Sequence, residues 1–254
     1  MIELSRTTSV PNAGEIILMA SDIAVQFGGL KAVDGVSLEV RRGEIVGMIG
    51  ANGAGKTTFF QVLSGFVKPT AGEVRFRGER IDGLAPELIC RRGLTRTFQI
   101  AEMFQSLTVW ETLTTAALVS MPLAEARKVA VATAELVRLK DKLDFTCRQL
   151  TLMDQKALEI GKAVATQPEM ILLDEVMAGL RPSETDEVVA LIRDLRQRGI
   201  TFLVVEHIMD VIMAISDRIV VFGAGCKVAD GRPEDVVRNR KVIEIYLGEE
   251  FELA

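Results

Sequence analysis

Apolar and polar positions along the chain follow two rhythms. Short, almost unbroken apolar runs recur at Ile45-Val46-Gly47-Met48-Ile49, Met170-Ile171-Leu172-Leu173 and Ile200 to Val205. Runs of this length with no wet alternate positions read as strands buried on both faces. Other segments repeat at helical spacing: Ser183 to Arg198 carries Val188, Leu191, Ile192 and Leu195 on one side, and Gly199 stops it. Apolar strands alternating with amphipathic helices predict an α/β chain with a mainly parallel core sheet covered on both faces.

The remaining elements follow from the same patterns and from turn residues. Residues 1–14, with Pro11, Asn12 and Gly14, read as a flexible leader, and residues 15–254 as one domain. Ile16 to Phe27 and Ala32 to Val40 read as strands divided by Gly28-Gly29, and Arg42-Gly43 turns into a strand at Glu44 to Ile49. A helix beginning near Lys56 and covering Thr58 to Ser64 ends at Gly65. Gly72 to Arg77 resembles a short edge strand, Pro86 to Arg92 a short helix, and Thr95 to Gln99 another strand. Thr108-Val109-Trp110-Glu111 has the spacing of a capping box and opens a helix to about Val119. Pro122 begins a second helix to about Lys140, with Leu123, Ala126, Ala130, Ala134 and Val137 on one side. Helical punctuation continues to Gln167, so roughly residues 100–165 form a helical insertion. Strands at Arg218 to Phe222 and Lys227 to Ala229, then short helices at Pro233 to Arg238 and Lys241 to Leu247, close the chain.

Composition narrows the class without naming it. Hydrophobic residues make up 48% and charged residues 26%, the mix of a water-soluble globular protein. The most apolar long stretch, Ala116 to Leu136, is interrupted by Glu125, Arg127 and Lys128, so no segment is expected to span a bilayer. No secretory signal pattern follows Glu3 and Arg6. Cys90, Cys147 and Cys226 are odd in number and widely spaced, which suits reduced thiols in a cytosolic protein better than a disulfide frame or a metal site. A net charge of −5 argues mildly against nucleic acid as the main partner and leaves room for one local basic patch.

The stretch Gly50-Ala51-Asn52-Gly53-Ala54-Gly55-Lys56-Thr57-Thr58 carries the chemistry. Its glycines let backbone N–H groups curl around an anion, Lys56 reaches β and γ phosphates, and the hydroxyl of Thr57 suits a magnesium ion. The helix that follows adds the positive end of its dipole. Three further groups stand where strands end, the place where open α/β sheets bind ligands: Asp174 and Glu175 after one buried run, His207 after another, and Gln99 before the helical insertion. Asp174 suits support of magnesium through its water shell, Glu175 polarisation of an attacking water, and His207 a bond to the γ phosphate. Phe27, next to a Gly-Gly turn, is either a core ring or a platform for a base. Asp141-Lys142-Leu143-Asp144 loosely resembles a guanine-reading motif but follows a helix, and reads as a solvated helix end.

Taken in order, Phe27, Gly50 to Thr58, Gln99, Asp174-Glu175 and His207 resemble the ATP-binding subunit of an ABC transporter across nearly the whole chain. Thr95-Arg96-Thr97-Phe98-Gln99, Ala178-Gly179-Leu180 and Val242-Ile243-Glu244-Ile245-Tyr246-Leu247-Gly248 further resemble the branched-chain amino acid importer branch. The resemblance implies a P-loop NTPase fold of the ABC ATPase type, with an N-terminal antiparallel β subdomain and a helical subdomain at about residues 100–165. It implies ATP and Mg2+, bound by Phe27 (as the adenine-stacking ring), Val33, Gly50, Asn52, Gly53, Ala54, Gly55, Lys56, Thr57, Thr58, Gln99 and Thr151. Thr57, Gln99 and Asp174 serve the metal in that reading, and Glu175, His207 and Lys56 serve catalysis. The partners implied are transmembrane permease subunits, a second ATP-binding subunit and, indirectly, a substrate-binding protein, with the chain peripheral on the inner face of the cell membrane.

The sequence departs from the family at its signature, where Leu150-Thr151-Leu152-Met153-Asp154 stands for Leu-Ser-Gly-Gly-Gln. Leu152 and Met153 add bulk where glycine admits phosphate, and Asp154 brings a negative charge. Arg181 and Val176 also replace the family's aspartate and proline. The expectation is a heterodimer in which this chain's signature serves the weaker of two sites; a homodimer with Thr151 in the serine's place is the alternative. Two other readings are a soluble ABC-type ATPase and a nucleotide-regulated interaction module, neither coupled to transport.

Overall fold

In the computed structural model, which describes residues 14–97 and 104–247, the elements alternate much as the hydrophobic pattern predicts. In chain order they are β1 (Ile16–Phe27), β2 (Leu30–Arg41), β3 (Ile45–Gly50), α1 (Lys56–Leu63), β4 (Ala71–Phe76), β5 (Glu79–Arg80), α2 (Pro86–Arg91) and β6 (Leu94–Arg96). There follow α3 (Val109–Ala117), α4 (Leu123–Leu136), 3-10 turns at Lys140–Lys142 and Cys147–Gln149, α5 (Leu152–Ala165), β7 (Met170–Asp174) and α6 (Pro182–Gln197). The chain closes with β8 (Thr201–Val205), α7 (Met209–Ile215), β9 (Arg218–Gly223), β10 (Cys226–Gly231), α8 (Pro233–Val236) and α9 (Arg240–Leu247). These elements fall into two compact units, one of residues 13–86 with 201–254, the other centred on residues 87–200.

The first unit holds two sets of strands. In one, β2, β1, β4 and β5 lie side by side in that order, and every pair is antiparallel. A bulge interrupts β1 after Ala20: Asp22 turns to φ 50°, its N–H bonded to the Ser37 hydroxyl at 2.9 Å. Gly72 passes so near this bulge that an added Cβ would lie 2.5 Å from the Asp22 carbonyl. In the other set, β3 runs parallel to β8 on one side and to β9 on the other, and β10 returns antiparallel to β9. All residues of β3 and β8 are buried, which is why neither shows an alternating pattern. Phe59 of α1 meets Phe222 of β9 with ring centres 5.4 Å apart, both fully buried. Burial of one such ring contributes about 1.5–3 kcal/mol, and the pair fixes α1 against the strands beside it.

The second unit pairs β6 with β7 in parallel and packs α3, α4 and α5 together. Gly161 permits the close approach of α5, since a Cβ there would stand 3.1 Å from Leu113 and 3.2 Å from Val137. The capping box expected at Thr108 is present: its hydroxyl accepts from the Glu111 N–H, and the Glu111 carboxylate accepts from the Thr108 N–H at 2.8 Å. The face of α6 bearing Val188, Leu191, Ile192 and Leu195 is buried as its spacing predicts.

Several expectations change. β4 is an interior strand, because the two-residue β5 pairs with it where the sequence predicts an edge. Leu123 is exposed while Ala126, Ala130, Ala134 and Val137 are buried; as the first residue of α4 it stands before the helix settles on its neighbours. That helix ends at Leu136, where Arg138 takes φ 62°. Helix α7 has no counterpart in the sequence reading: its seven residues are too few to display a period. The Asp141 region forms a 3-10 turn, but Lys142 reaches out of it to bond Asp154 at 2.6 Å. The leader at residues 1–13 and Gln99 lie outside the described residues.

Candidate nucleotide site

The phosphate loop leaves β3 at Gly50 and enters α1 at Lys56. Gly50 is required by contact, since a Cβ there would lie 2.5 Å from the Phe222 carbonyl. Gly55 is required twice: it caps α1 at φ 101°, and a Cβ would stand 2.4 Å from the Ala32 carbonyl. With these glycines the loop closes tightly enough for Lys56 to fold back over it. Lys56 is buried, and its Nζ donates to the carbonyls of Gly50 at 2.7 Å and Ala51 at 3.1 Å. An ammonium held there, at the start of a helix with no acidic residue in its first turn, makes the loop electropositive. Asn52, Gly53 and Thr57 are exposed, Thr58 is half-buried, and Ala54 is buried with its carbonyl accepting from the Gly225 N–H at 3.1 Å.

Two other segments brace the loop. The turn between β9 and β10 bonds Ala54 through Gly225, and the Gly225 carbonyl accepts from the Asp34 N–H at 2.8 Å. The β1–β2 hairpin passes Gly55 at Ala32 and carries Phe27 at its tip, paired with Leu30. Phe27 is 51% exposed, so the ring is a surface ring and not core. Val33 is fully buried opposite Val25, so its side chain is core and presents no face to a ligand. The braces come from sequence positions 32–34 and 225, which no local pattern marks.

His207 belongs to the same unit. Met48 of β3 is level with Val205 of β8; two residues further on stand Gly50 and His207, which therefore leave the strands at the same end. His207 is exposed, and Glu206 before it is buried.

The acids occupy the second unit. Asp174 ends β7, is 2% exposed, and receives Arg96 Nη2 on its Oδ2 at 2.7 Å. Glu175 follows, half-buried, with φ 51°. A side chain bearing a β-carbon pays about 1–2 kcal/mol to adopt that left-handed backbone, and such strain collects at functional positions. A hydroxyl such as that of Thr57 and a carboxylate such as that of Asp174 are hard oxygen donors, the chemistry magnesium prefers.

At the signature, Thr151 caps α5 with its hydroxyl engaged by Asp154. The Thr151 Oγ1 donates to Asp154 Oδ2 at 2.8 Å, and the carboxylate also accepts Lys142 Nζ at 2.6 Å. Burial alone would raise the Asp154 pKa, yet the bonds from Lys142 and Thr151 hold it below the usual carboxylate range. The negative charge that Asp154 brings to the signature is thus neutralised by Lys142. Leu152 is exposed, and its Cδ2 would lie 3.4 Å from a Cβ on Gly179. The pairings of Lys142 with Asp154 and of Arg96 with Asp174 were not marked by spacing, because each forms only through the fold.

Comparison with known proteins places this geometry. Residues 33–178 match the family model described as ABC transporter, and residues 226–252 match that of the branched-chain amino acid ATP-binding cassette transporter. The chain is 42% identical over 250 residues to the high-affinity branched-chain amino acid transport ATP-binding protein BraF of Pseudomonas aeruginosa, covering 92% of this chain and 98% of that one. It is 40% identical, with the same coverage, to the protein LivG of Escherichia coli K12, which carries the same description. Among solved structures, an ATP-binding cassette of an ABC transporter in its ADP conformation superposes with TM-score 0.86 at 33% identity, covering 92% of this chain and 100% of that one. A nucleotide-free cassette does so with TM-score 0.85 at 31% identity, with the same coverage. This chain therefore belongs to the ABC transporter family, and within it to the branched-chain amino acid transport ATP-binding proteins.

Proposed function

We propose that this chain binds ATP with magnesium and hydrolyses it to energise an importer of branched-chain amino acids or related small molecules. One observation carries the reading most directly: the buried Lys56 ammonium folded over the Gly50 and Ala51 carbonyls at the head of α1. A cation held there, beside loop N–H groups and the positive end of a helix, is the arrangement that receives phosphate oxygens. Phe27 supplies an exposed ring for the adenine, the loop N–H groups and Lys56 hold the β and γ phosphates, and Thr58 adds a hydroxyl. Thr57 and Asp174 are the residues that would hold magnesium, with Gln99 reporting on it. When bound, that ion neutralises phosphate charge.

Glu175 takes a proton from water as the water oxygen attacks the γ phosphorus and the bond to the bridging oxygen breaks, releasing ADP. His207 donates to the γ-phosphate oxygens and keeps them oriented. The chain acts at the inner face of the cell membrane, docked on permease subunits and paired with a second ATP-binding subunit, and a substrate-binding protein delivers cargo. No helix among the described residues is long and apolar enough to cross a membrane, in keeping with a peripheral place. The pairing is with a different subunit: Thr151 already spends its hydroxyl on Asp154, which supports a weaker site at this chain's signature.

Nucleotide titration tests the core of this reading. Lys56→Ala is expected to weaken ATP binding at least tenfold, whereas Glu175→Gln retains binding and loses turnover. Equal ATP affinity in Lys56→Ala and the unaltered chain would remove the proposal.

A further inference from the structure

Asp174 is a carboxylate almost without exposure, and what surrounds it was not anticipated from its place in the sequence. Its Oδ2 accepts from Arg96 at 2.7 Å, and the two side chains are 2% and 7% exposed. The backbone beside it is equally fixed. Arg96 of β6 is in register with Leu172 of β7; the next residue, Thr97, donates its N–H to the Leu172 carbonyl at 2.9 Å. The Thr97 hydroxyl then accepts from the Asp174 N–H at 3.1 Å. Arg96 and Thr97 thus hold Asp174 by its carboxylate and by its backbone.

We propose that Arg96 is a positioning residue for Asp174, supplying the positive charge that balances this carboxylate whenever no metal ion stands beside it. The inference rests on the reading above that Asp174 supports magnesium. A buried carboxylate is costly without a partner, and a guanidinium is a cation at every pH a cell meets. With Arg96 and Thr97 in place the Asp174 side chain stays ordered on the bare protein. The same pairing weakens the pull of Asp174 on a free divalent ion, because an approaching cation meets a carboxylate already neutralised and a like charge behind it. Metal is then drawn in with the phosphates of the nucleotide and not ahead of them.

The test uses the purified full chain without nucleotide, titrated with Mn2+ as a paramagnetic probe and followed by thermal unfolding. Arg96→Met removes the charge and keeps most of the bulk. It is expected to lower the midpoint by about 10 °C and to bind Mn2+ about tenfold more tightly than the unaltered chain. Added Mn2+ should restore much of the lost midpoint. Arg96→Lys should stay near the unaltered chain in both readouts, and adding Asp174→Asn to Arg96→Met should recover the midpoint and abolish the Mn2+ response. A midpoint loss that neither Mn2+ nor Asp174→Asn reverses would mean that Arg96 only packs, and would overturn the proposal. If Arg96→Met does not fold, the double variant must; its failure to fold has the same meaning. Separately, Asp174→Asn should remove the gain in ATP affinity that Mg2+ confers on the unaltered chain. An unchanged gain sinks the reading of Asp174 itself, whatever Arg96 does.

Discussion

Gly55 shows how much of this protein hangs on single positions. It caps α1 in a backbone conformation that side chains avoid, and it lies against the Ala32 carbonyl with no room for a methyl group. Gly55→Ala should cost about 2–4 kcal/mol in unfolding free energy, the sum of backbone strain and a forced shift of the hairpin. It should also abolish ATP binding, and denaturant titration beside nucleotide titration separates the two losses. An Ala variant that bound ATP normally would show that the hairpin yields without moving the loop. Gly55 and Lys56 were legible in the sequence because a phosphate loop is a local device, with all its parts within nine residues. Arg96 was not, since it reaches Asp174 across 78 positions of sequence. The burial of Val33 was not legible for a related reason: burial in a sheet is decided by register, which one strand's sequence does not state.

Among the elements, α5 makes the clearest case. Its N-terminus is closed by the reciprocal bonds of Thr151 and Asp154, and Lys142 from a neighbouring 3-10 turn completes the group. The folded state holds the Asp154 pKa below the ordinary aspartate value of 3.8, so the carboxylate stabilises the fold above that unfolded value. That contribution is lost as pH falls through the lower, folded-state pKa. Asp154→Asn should therefore be less stable than the unaltered chain at pH 7, and the gap should close as pH drops below 3.8. Unfolding free energies measured from pH 7 to pH 2 check the sign; a gap that widened in acid would mean that the carboxylate is not held by these bonds. The capping box at Thr108 was readable as Thr-x-x-Glu, whereas the one at Thr151 was hidden because Asp takes the place of the usual Glu or Gln. Helix α7 and strand β5 were missed for want of length, and β4 gained its interior position only through β5.

For the whole molecule, the prediction concerns the assembled transporter. If this chain supplies the competent phosphate loop and glutamate while its signature serves a weaker site, Glu175→Gln should lower ATP turnover by about a hundredfold or more. Thr151→Ala should lower it only a fewfold, because the hydroxyl is already bonded to Asp154. Steady-state turnover with the partner subunits present makes the comparison, and equal losses would argue for two equivalent sites.

The sequence by itself determined the alternation of buried strands and amphipathic helices, the phosphate loop, and the acids and histidine at strand ends. Each of these is written in neighbouring residues, through periodicity, turn chemistry or a contiguous motif. Only the tertiary structure decided what those groups lean on. Ala32 and Gly225 brace the loop, Arg96 balances Asp174, Lys142 neutralises Asp154, and Phe27 stands exposed while Val33 lies in the core. Such partners are chosen by packing and register between distant segments, and the free energy that selects them exists only once those segments meet.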